Sequence, residues 1–137
     1  RGMDGKDILL GGLGNDWLIG GASADALAGG SGNDQFVFDS LAASSDADVI
    51  KDFVVGQDHL AFESSLFSAF FDELTGGLSA SAFTQGLTAT TANHHFVYNS
   101  ANGALYFDAD GIGGDAQVQI ATLSNRPFLS EGDFVLI

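Results

Sequence analysis

The sequence contains no cysteine, a single proline and only four basic residues among 137. The absence of cysteine excludes a disulfide framework and a thiolate zinc site. Eighteen acidic residues against four basic ones give a formal net charge of −14, which argues against nucleic acid or an anionic membrane as a partner. No apolar run approaches the roughly 20 residues of a membrane-spanning helix. The acidic residues therefore form either a solvated surface or a set of sites for hard cations.

The motifs of common hydrolases are also missing. The chain has no H-E-x-x-H zinc motif and no G-x-S-x-G nucleophile elbow. Without cysteine there is no thiol nucleophile. We therefore expect no catalytic site and no enzyme activity in this chain. The first residues do not have the pattern of a signal peptide, and the sequence begins within a repeat. We therefore expect this chain to be a C-terminal piece of a longer protein.

The start of the chain repeats every nine residues: GMDGKDILL, GGLGNDWLI, GGASADALA and GGSGNDQFV, from residue 2 to residue 37. The sixth place is always aspartate and the eighth is always apolar. The fourth place is glycine in three repeats and Ser23 in the other. Glycine permits the positive φ angles of a tight turn, and the last three residues of each repeat suit a short strand.

This pattern resembles the calcium-binding nonapeptide repeat of RTX proteins, G-G-x-G-x-D-x-(apolar)-x. The resemblance implies a parallel β-roll in which two nonapeptides make one coil and the apolar eighth residues line the interior. Turns on the same side are then 18 residues apart. That spacing pairs Asp7 with Asp25 and Asp16 with Asp34 in two calcium sites. The resemblance also implies backbone carbonyl ligands, from Gly2, Asp4, Gly21 and Ser23 in one site and from Gly11, Leu13, Gly30 and Gly32 in the other.

The segment after the repeats, residues 36–62, resembles the corresponding segment of secreted serralysin-type proteases and related RTX proteins. We expect an all-β fold with the β-roll in residues 1–38 and a capping region in residues 39–137. The cap is expected to be antiparallel with a short helix. A third, partial calcium site could use the turn of Asp34 with Asp52 and Asp58. The alternative is that Asp48, Asp52 and Asp58 are surface acids at strand ends.

Local patterns predict the elements of the cap. Residues 63–74 carry apolar residues at helical spacing, with Ser64 or Ser65 as N-cap. Residues 96–98 and 105–107 predict a hairpin with Asn102-Gly103 in its turn. Residues 116–123 alternate with period two, which places Val118, Ile120 and Thr122 on one face. Residues 133–137 predict a last strand or tail.

The acidic loop "DADGIGGD", residues 108–115, contains Asp108, Asp110 and Asp115. It does not fit an EF-hand, because with Gly111 at the sixth place the first and twelfth residues would be Tyr106 and Gln117. The loop is either a weaker cation site built on Asp108 and Asp110 or a polar turn between strands.

The RTX resemblance implies a bacterial protein exported by a type I secretion system and found outside the cell or at its surface. In that family the export signal is uncleaved and C-terminal, an acidic residue followed by apolar ones. The matching residues are Asp133, Phe134, Val135, Leu136 and Ile137. The expected partners are calcium ions and, transiently, the secretion apparatus, and the expected state is a monomer. The alternative is a ligand- or glycan-binding module of an RTX adhesin or secreted enzyme, with Trp17, Tyr98 and Tyr106 on its ligand face.

Overall fold

A computed structural model describes residues 1–40, 46–72, 74–114 and 116–137. Their strands form a seven-stranded sheet, in the order β1-β3-β5-β10-β9-β8-β7, and a four-stranded sheet, in the order β11-β6-β4-β2. The strands are β1 (Ile8–Leu13), β2 (Trp17–Ile19), β3 (Ala26–Ser31), β4 (Gln35–Phe38), β5 (Asp48–Ile50), β6 (His59–Phe62), β7 (Phe83–Gln85), β8 (Phe96–Asn99), β9 (Ala104–Phe107), β10 (Val118–Leu123) and β11 (Phe134–Leu136). Among these residues no helix is long and apolar enough to cross a membrane.

Strands of the first half alternate between the two sheets, which makes a parallel β-roll. The β1–β3 and β2–β4 pairs are parallel, with each residue beside the one 18 positions later, as in Leu9 with Leu27 and Leu18 with Phe36. The predicted roll and its register are therefore confirmed. A third coil, β5 and β6, continues both ladders in parallel. The parallel ladders thus cross residue 38, where the sequence suggested a boundary.

The end of the chain supplies a fourth layer to the roll. β10 pairs in parallel with β5 in one sheet, and β11 pairs in parallel with β6 in the other. Each sheet then carries one continuous inner row of apolar side chains. The rows are Leu9, Leu27, Ile50 and Leu123 in one sheet and Leu18, Phe36, Leu60 and Phe134 in the other. The prediction that the eighth residues line the interior is confirmed, since three are buried and Leu9 packs against them.

The capping region is only partly antiparallel. The predicted hairpin is present as β8 and β9, and β9 pairs antiparallel with β10. The pairs β7–β8, β5–β10 and β6–β11 are parallel. The expectation of an antiparallel cap is therefore wrong for the outer strand β7 and for both junctions with the roll, because the chain returns to extend the existing parallel ladders.

Two local predictions also need correction. The expected helix over residues 63–74 is a single α-helical turn, Ser64–Phe67, followed by a 3-10 turn, Ser68–Phe70. Its N-cap is Glu63, whose carboxylate accepts the Ser65 amide at 2.9 Å, and not a serine. In β10 the pairing shifts between Gln119 and Ala121. This bulge breaks the period of two, so Leu123 is buried where the alternation favoured Thr122.

A cluster of phenylalanine rings fills the C-terminal half of the core. Phe62 lies at its centre, with ring centroids 4.9 Å from Phe38 and from Phe96 and 5.8 Å from Phe134. Phe134 also contacts Phe83 and Phe96, at 5.3 and 5.1 Å. The last strand is therefore an integral part of the core.

We predict that Phe134→Ala costs about 3–5 kcal/mol of unfolding free energy, because it opens a cavity among these rings. Val135→Ala, in the same strand but half-buried, serves as the control and should cost about 1 kcal/mol. Urea denaturation in excess calcium measures both. Equal small losses for the two variants would mean that the C-terminal strand does not contribute to the folded core.

Candidate metal centre

The aspartates at the sixth place of the repeats form two columns along the roll. On one side, the Asp7 amide donates to Asp25 Oδ1 at 2.7 Å, and the Asp25 amide donates to Asp48 Oδ1 at 3.0 Å. On the other side, the Asp16 amide donates to Asp34 Oδ1 at 2.9 Å, and the Asp34 amide donates to Asp58 Oδ1 at 3.0 Å. The structure thus brings together the pairs Asp7 with Asp25 and Asp16 with Asp34, and adds a third aspartate to each column.

The second carboxylate oxygen of three of these aspartates is buried and has no hydrogen-bond partner among the described residues. These atoms are Oδ2 of Asp16, Asp25 and Asp34. A buried carboxylate oxygen with no donor is strongly unfavourable unless a cation compensates it. Hard divalent cations prefer carboxylate and carbonyl oxygens. The donor set therefore fits calcium, with Asp16, Asp25 and Asp34 as the side chains that would hold it.

Main-chain oxygens of the turns lie beside these carboxylates. A methyl group on Gly2 would meet the Gly20 carbonyl oxygen at 2.1 Å and Asp7 Oδ2 at 2.8 Å. A methyl group on Gly11 would meet the Gly29 carbonyl oxygen at 2.5 Å and Asp16 Oδ2 at 2.7 Å. Only glycine leaves room for this close approach. Carbonyl and carboxylate oxygens thus converge at the first place of the repeat.

The other carbonyl candidates lie where stacked turns pair. Gly12 pairs with Gly30 and Leu13 with Ser31, while Asp4 forms a parallel bridge with Ala22. A methyl group on Gly30 or on Gly32 would meet the carbonyl oxygen of the glycine 18 residues earlier, at 2.2 and 2.0 Å. A methyl group on Gly21 would meet the Met3 carbonyl oxygen at 2.9 Å. These residues therefore lie in turns and at strand ends that stack directly on one another.

The fourth place of every repeat has the same backbone conformation. Its φ is +99° at Gly5, +104° at Gly14, +79° at Ser23 and +135° at Gly32. Ser23 therefore keeps the left-handed turn that glycine makes in the other repeats. This conformation is unfavourable for a residue with a Cβ atom.

Asp52 and Asp58, the weaker candidates for a third site, are occupied by backbone amides. Asp52 accepts the amides of Gly29 and Gly30, both at 2.9 Å. Asp58 accepts the Asp34 amide on Oδ1 and the Val54 amide on Oδ2, at 3.0 and 2.8 Å. In both residues each carboxylate oxygen thus has an amide donor, and both side chains hold the turn in place.

Asp48 is the column residue that the repeat pattern missed. It lies 23 residues after Asp25, so the spacing of 18 does not reach it. Burial is the main cause that raises the pKa of Asp48 from its ordinary value near 3.8 to about 6. The charges of Asp25, Asp39 and Asp46 raise it further, while the Asp25 amide opposes the shift.

Asp108 and Asp110 lie in the turn after β9. The Asp110 amide donates to Asp108 Oδ1 at 3.3 Å, and burial followed by a hydrogen bond with the Asp110 side chain raises the pKa of Asp108. Asp115, the third acid of this loop, lies outside the described residues. Among the described residues, no group of three or more histidine, cysteine, aspartate or glutamate side chains has the arrangement of a metal site. The arrangement found in this loop is that of a hydrogen-bonded polar turn.

The five C-terminal residues are folded into the roll. Asp133 accepts the Ser130 amide at 2.8 Å, Phe134 is buried, and Val135 and Leu136 pair with Ala61 and Phe62. The Ile137 amide donates to the Phe62 carbonyl at 2.8 Å. In the folded state these residues are therefore occupied by intramolecular contacts.

The three aromatic residues of the alternative ligand face do not form one surface. Tyr98 is fully buried, and its hydroxyl donates to the Pro127 carbonyl at 2.8 Å. Tyr106 is half-buried, and Trp17 is 60% exposed on the edge strand β2 of the other sheet. The expectation that Tyr98 contributes to a ligand face is wrong, because its ring belongs to the core.

Comparison with known families agrees with this geometry at the start of the chain. Residues 1–36 match the RTX calcium-binding nonapeptide repeat, in four copies. A search of the curated proteins found no match. A similar solved structure is the solution structure of a subunit of the mannuronan C5-epimerase of Azotobacter vinelandii. It is 22% identical, covers 98% of this chain and 80% of that chain, and has a TM-score of 0.48.

We predict that Ser23→Gly stabilises the calcium-loaded chain by about 1 kcal/mol, because glycine relieves the left-handed conformation at this turn. Ser31→Gly is the control, since Ser31 lies in strand β3 without a positive φ, and glycine there should destabilise. Thermal and urea denaturation measure both variants. A loss of stability in Ser23→Gly would contradict a strained turn at this position.

Proposed function

Because residues 1–36 are RTX calcium-binding repeats, we propose that this chain is a non-enzymatic module of a larger exported bacterial protein. Calcium outside the cell drives it to fold. The observation that carries the proposal is the set of buried Oδ2 atoms of Asp16, Asp25 and Asp34, which lie in two columns and have no partner in the part of the chain that the structure describes. Without a cation, these carboxylates oppose the fold that brings them together.

The backbone adds to this opposition. The turns of the roll contain many glycines, which lose more conformational entropy on folding than any other residue. The interior between the first coils is thin, because each strand of a coil contributes a single inward side chain. Free energy of calcium binding therefore becomes free energy of folding, since the unfolded chain has no assembled site.

The difference in calcium between the two sides of the membrane then gives the folding a direction. Extracellular calcium sites have dissociation constants of roughly 10⁻⁴–10⁻³ M, so they stay empty where calcium is scarce. The chain would remain unfolded inside the cell and fold outside it, which opposes movement back through a type I apparatus. The folded roll would then stabilise the parent protein to which it is joined.

The position of the last strand supports a role in export. Residues 133–137 resemble a type I export signal, yet in the folded chain they are paired and packed. The apparatus could therefore read them only in the unfolded chain. Folding outside the cell would remove the signal from recognition.

We predict that the chain is largely unfolded in excess chelator and folds when calcium is added to about millimolar concentration. Circular dichroism measures folding, with magnesium at the same concentration as the ion control. Asp16→Asn combined with Asp34→Asn should raise the calcium midpoint by about tenfold or more, since even loss of an outer-shell partner has such an effect. Asp72→Asn, an exposed turn residue outside both columns, should leave the midpoint unchanged. A complete fold in chelator would refute calcium-coupled folding.

We also predict that a passenger fused to the N-terminus of this chain leaves cells that carry a type I apparatus. The passenger should stay inside when residues 133–137 are deleted. The Asp16→Asn and Asp34→Asn double variant keeps the signal, so it should still reach the medium but be sensitive to protease there. Amounts of passenger in medium and cells give the readout. Equal export without residues 133–137 would refute the assignment of the signal.

A further inference from the structure

We propose that Asp25 and Asp48 form a third cation-binding site over Gly20, at the junction between the repeats and the following coil. This inference rests on the proposed calcium-coupled folding and adds a site that lies partly outside the matched residues 1–36. The cation would be a hard divalent ion, calcium in the first instance, because the ligands are carboxylate oxygens.

The first step is the position of Asp48. Its Oδ1 accepts the Asp25 amide at 3.0 Å, the same contact that Asp25 makes with the Asp7 amide at 2.7 Å. The column therefore continues from the repeats into β5, although the chain between them is five residues longer than a pair of nonapeptides. Asp48 therefore makes the same hydrogen bond with Asp25 that Asp25 makes with Asp7.

The second step is the convergence of two carboxylates. A methyl group on Gly20 would meet Asp25 Oδ2 at 2.7 Å and Asp48 Oδ2 at 2.5 Å. Asp25 is only 2% exposed, and its Oδ2 has no hydrogen-bond partner among the described residues. Two buried carboxylates directed at the same space repel each other unless a cation lies between them.

The third step is the difference from the earlier coils. At Gly2 and at Gly11 the nearest atom of the next turn is the carbonyl oxygen of the glycine 18 residues later. At Gly20 the carboxylate of Asp48 takes that place. A full negative charge therefore replaces a carbonyl dipole, which increases the attraction of this site for a cation relative to the sites between repeats.

The opposite column contains an equivalent aspartate, Asp58, whose hydrogen-bond partners are different. Asp58 lies beside Asp34 as Asp48 lies beside Asp25, but both of its oxygens accept backbone amides, from Asp34 and Val54. This arrangement needs no cation at Asp58. The last aspartates of the two columns therefore differ. Asp58 accepts backbone amides on both oxygens, whereas Asp48 Oδ2 lies with Asp25 Oδ2 beside Gly20.

The surroundings of Asp48 add negative charge. A cavity of about 20 Å³ beside Gly21 is lined by Asp39, Asp46 and Asp48, among other residues. Asp39 forms an ion pair with Arg1 at 2.8 Å. The acidic cavity would favour approach of a divalent ion to the space over Gly20.

The test is the number of calcium ions bound by the full chain, measured by isothermal titration calorimetry and equilibrium dialysis. Asp48→Asn keeps the acceptor for the Asp25 amide and removes the charge, so it should bind one ion fewer than the wild type. Asp58→Asn is the matched control at the same level of the other column, and its ion count should equal that of the wild type. The same ion count in Asp48→Asn and in the wild type would overturn the proposal.

A second measurement uses the wild type alone and does not depend on whether a variant folds. Crystals grown with terbium in place of calcium locate the ions by anomalous scattering. An ion coordinated by both Asp25 and Asp48 supports the site. Ions confined to the Asp7–Asp25 and Asp16–Asp34 pairs would overturn it. Failure of the proposed function would look different, because the wild type would then fold in chelator.

Discussion

The hydrogen bond that a column aspartate accepts from the amide of the aspartate one coil earlier determines the rest of the roll. It sets the stacking of the turns, as between Asp16 and Asp34, and it uses only one carboxylate oxygen. In Asp16, Asp25 and Asp34 the other oxygen lies beside the glycine at the first place of the repeat and has no donor among the described residues. The contact that aligns these coils therefore leaves one buried carboxylate oxygen for the proposed cation.

The two ends of the molecule are stabilised by different means. At the start, inner contacts consist of single side chains such as Leu9 and Leu18, while Ile8 and Leu10 face solvent. At the other end, Phe62 contacts five phenylalanine rings. Hydrophobic burial can support the C-terminal end, whereas the first coils bury fewer apolar side chains and would depend more on the proposed ions. Calcium should thus act first on the repeats and reach the last strand through the shared sheets.

Much of this architecture can be predicted from the sequence, because every repeat keeps the polar and apolar residues on which a coil of the roll depends. Aspartate at the sixth place and an apolar residue at the eighth place carry the resemblance to RTX repeats, and that resemblance implied the coils, their register of 18 and the pairing of Asp7 with Asp25. The fourth layer could not be predicted, since it depends on β10 and β11 returning from distant positions to parallel neighbours. The bulge in β10 and the shortened helix were missed for the same reason, because tertiary packing overrides a local period.

The aspartate columns continue past the repeats because a hydrogen bond, and not a sequence period, defines them. Asp48 and Asp58 lie 23 and 24 residues after their partners, so the intervening chain has lengthened on both sides while each contact persists. What differs is the partner of the second carboxylate oxygen. Val54 lies four residues before Asp58 and supplies an amide to that oxygen, whereas Asp48 Oδ2 and Asp25 Oδ2 both lie beside Gly20. Equivalent positions in a roll can therefore be satisfied by backbone donors or, as proposed for Asp48, by an ion.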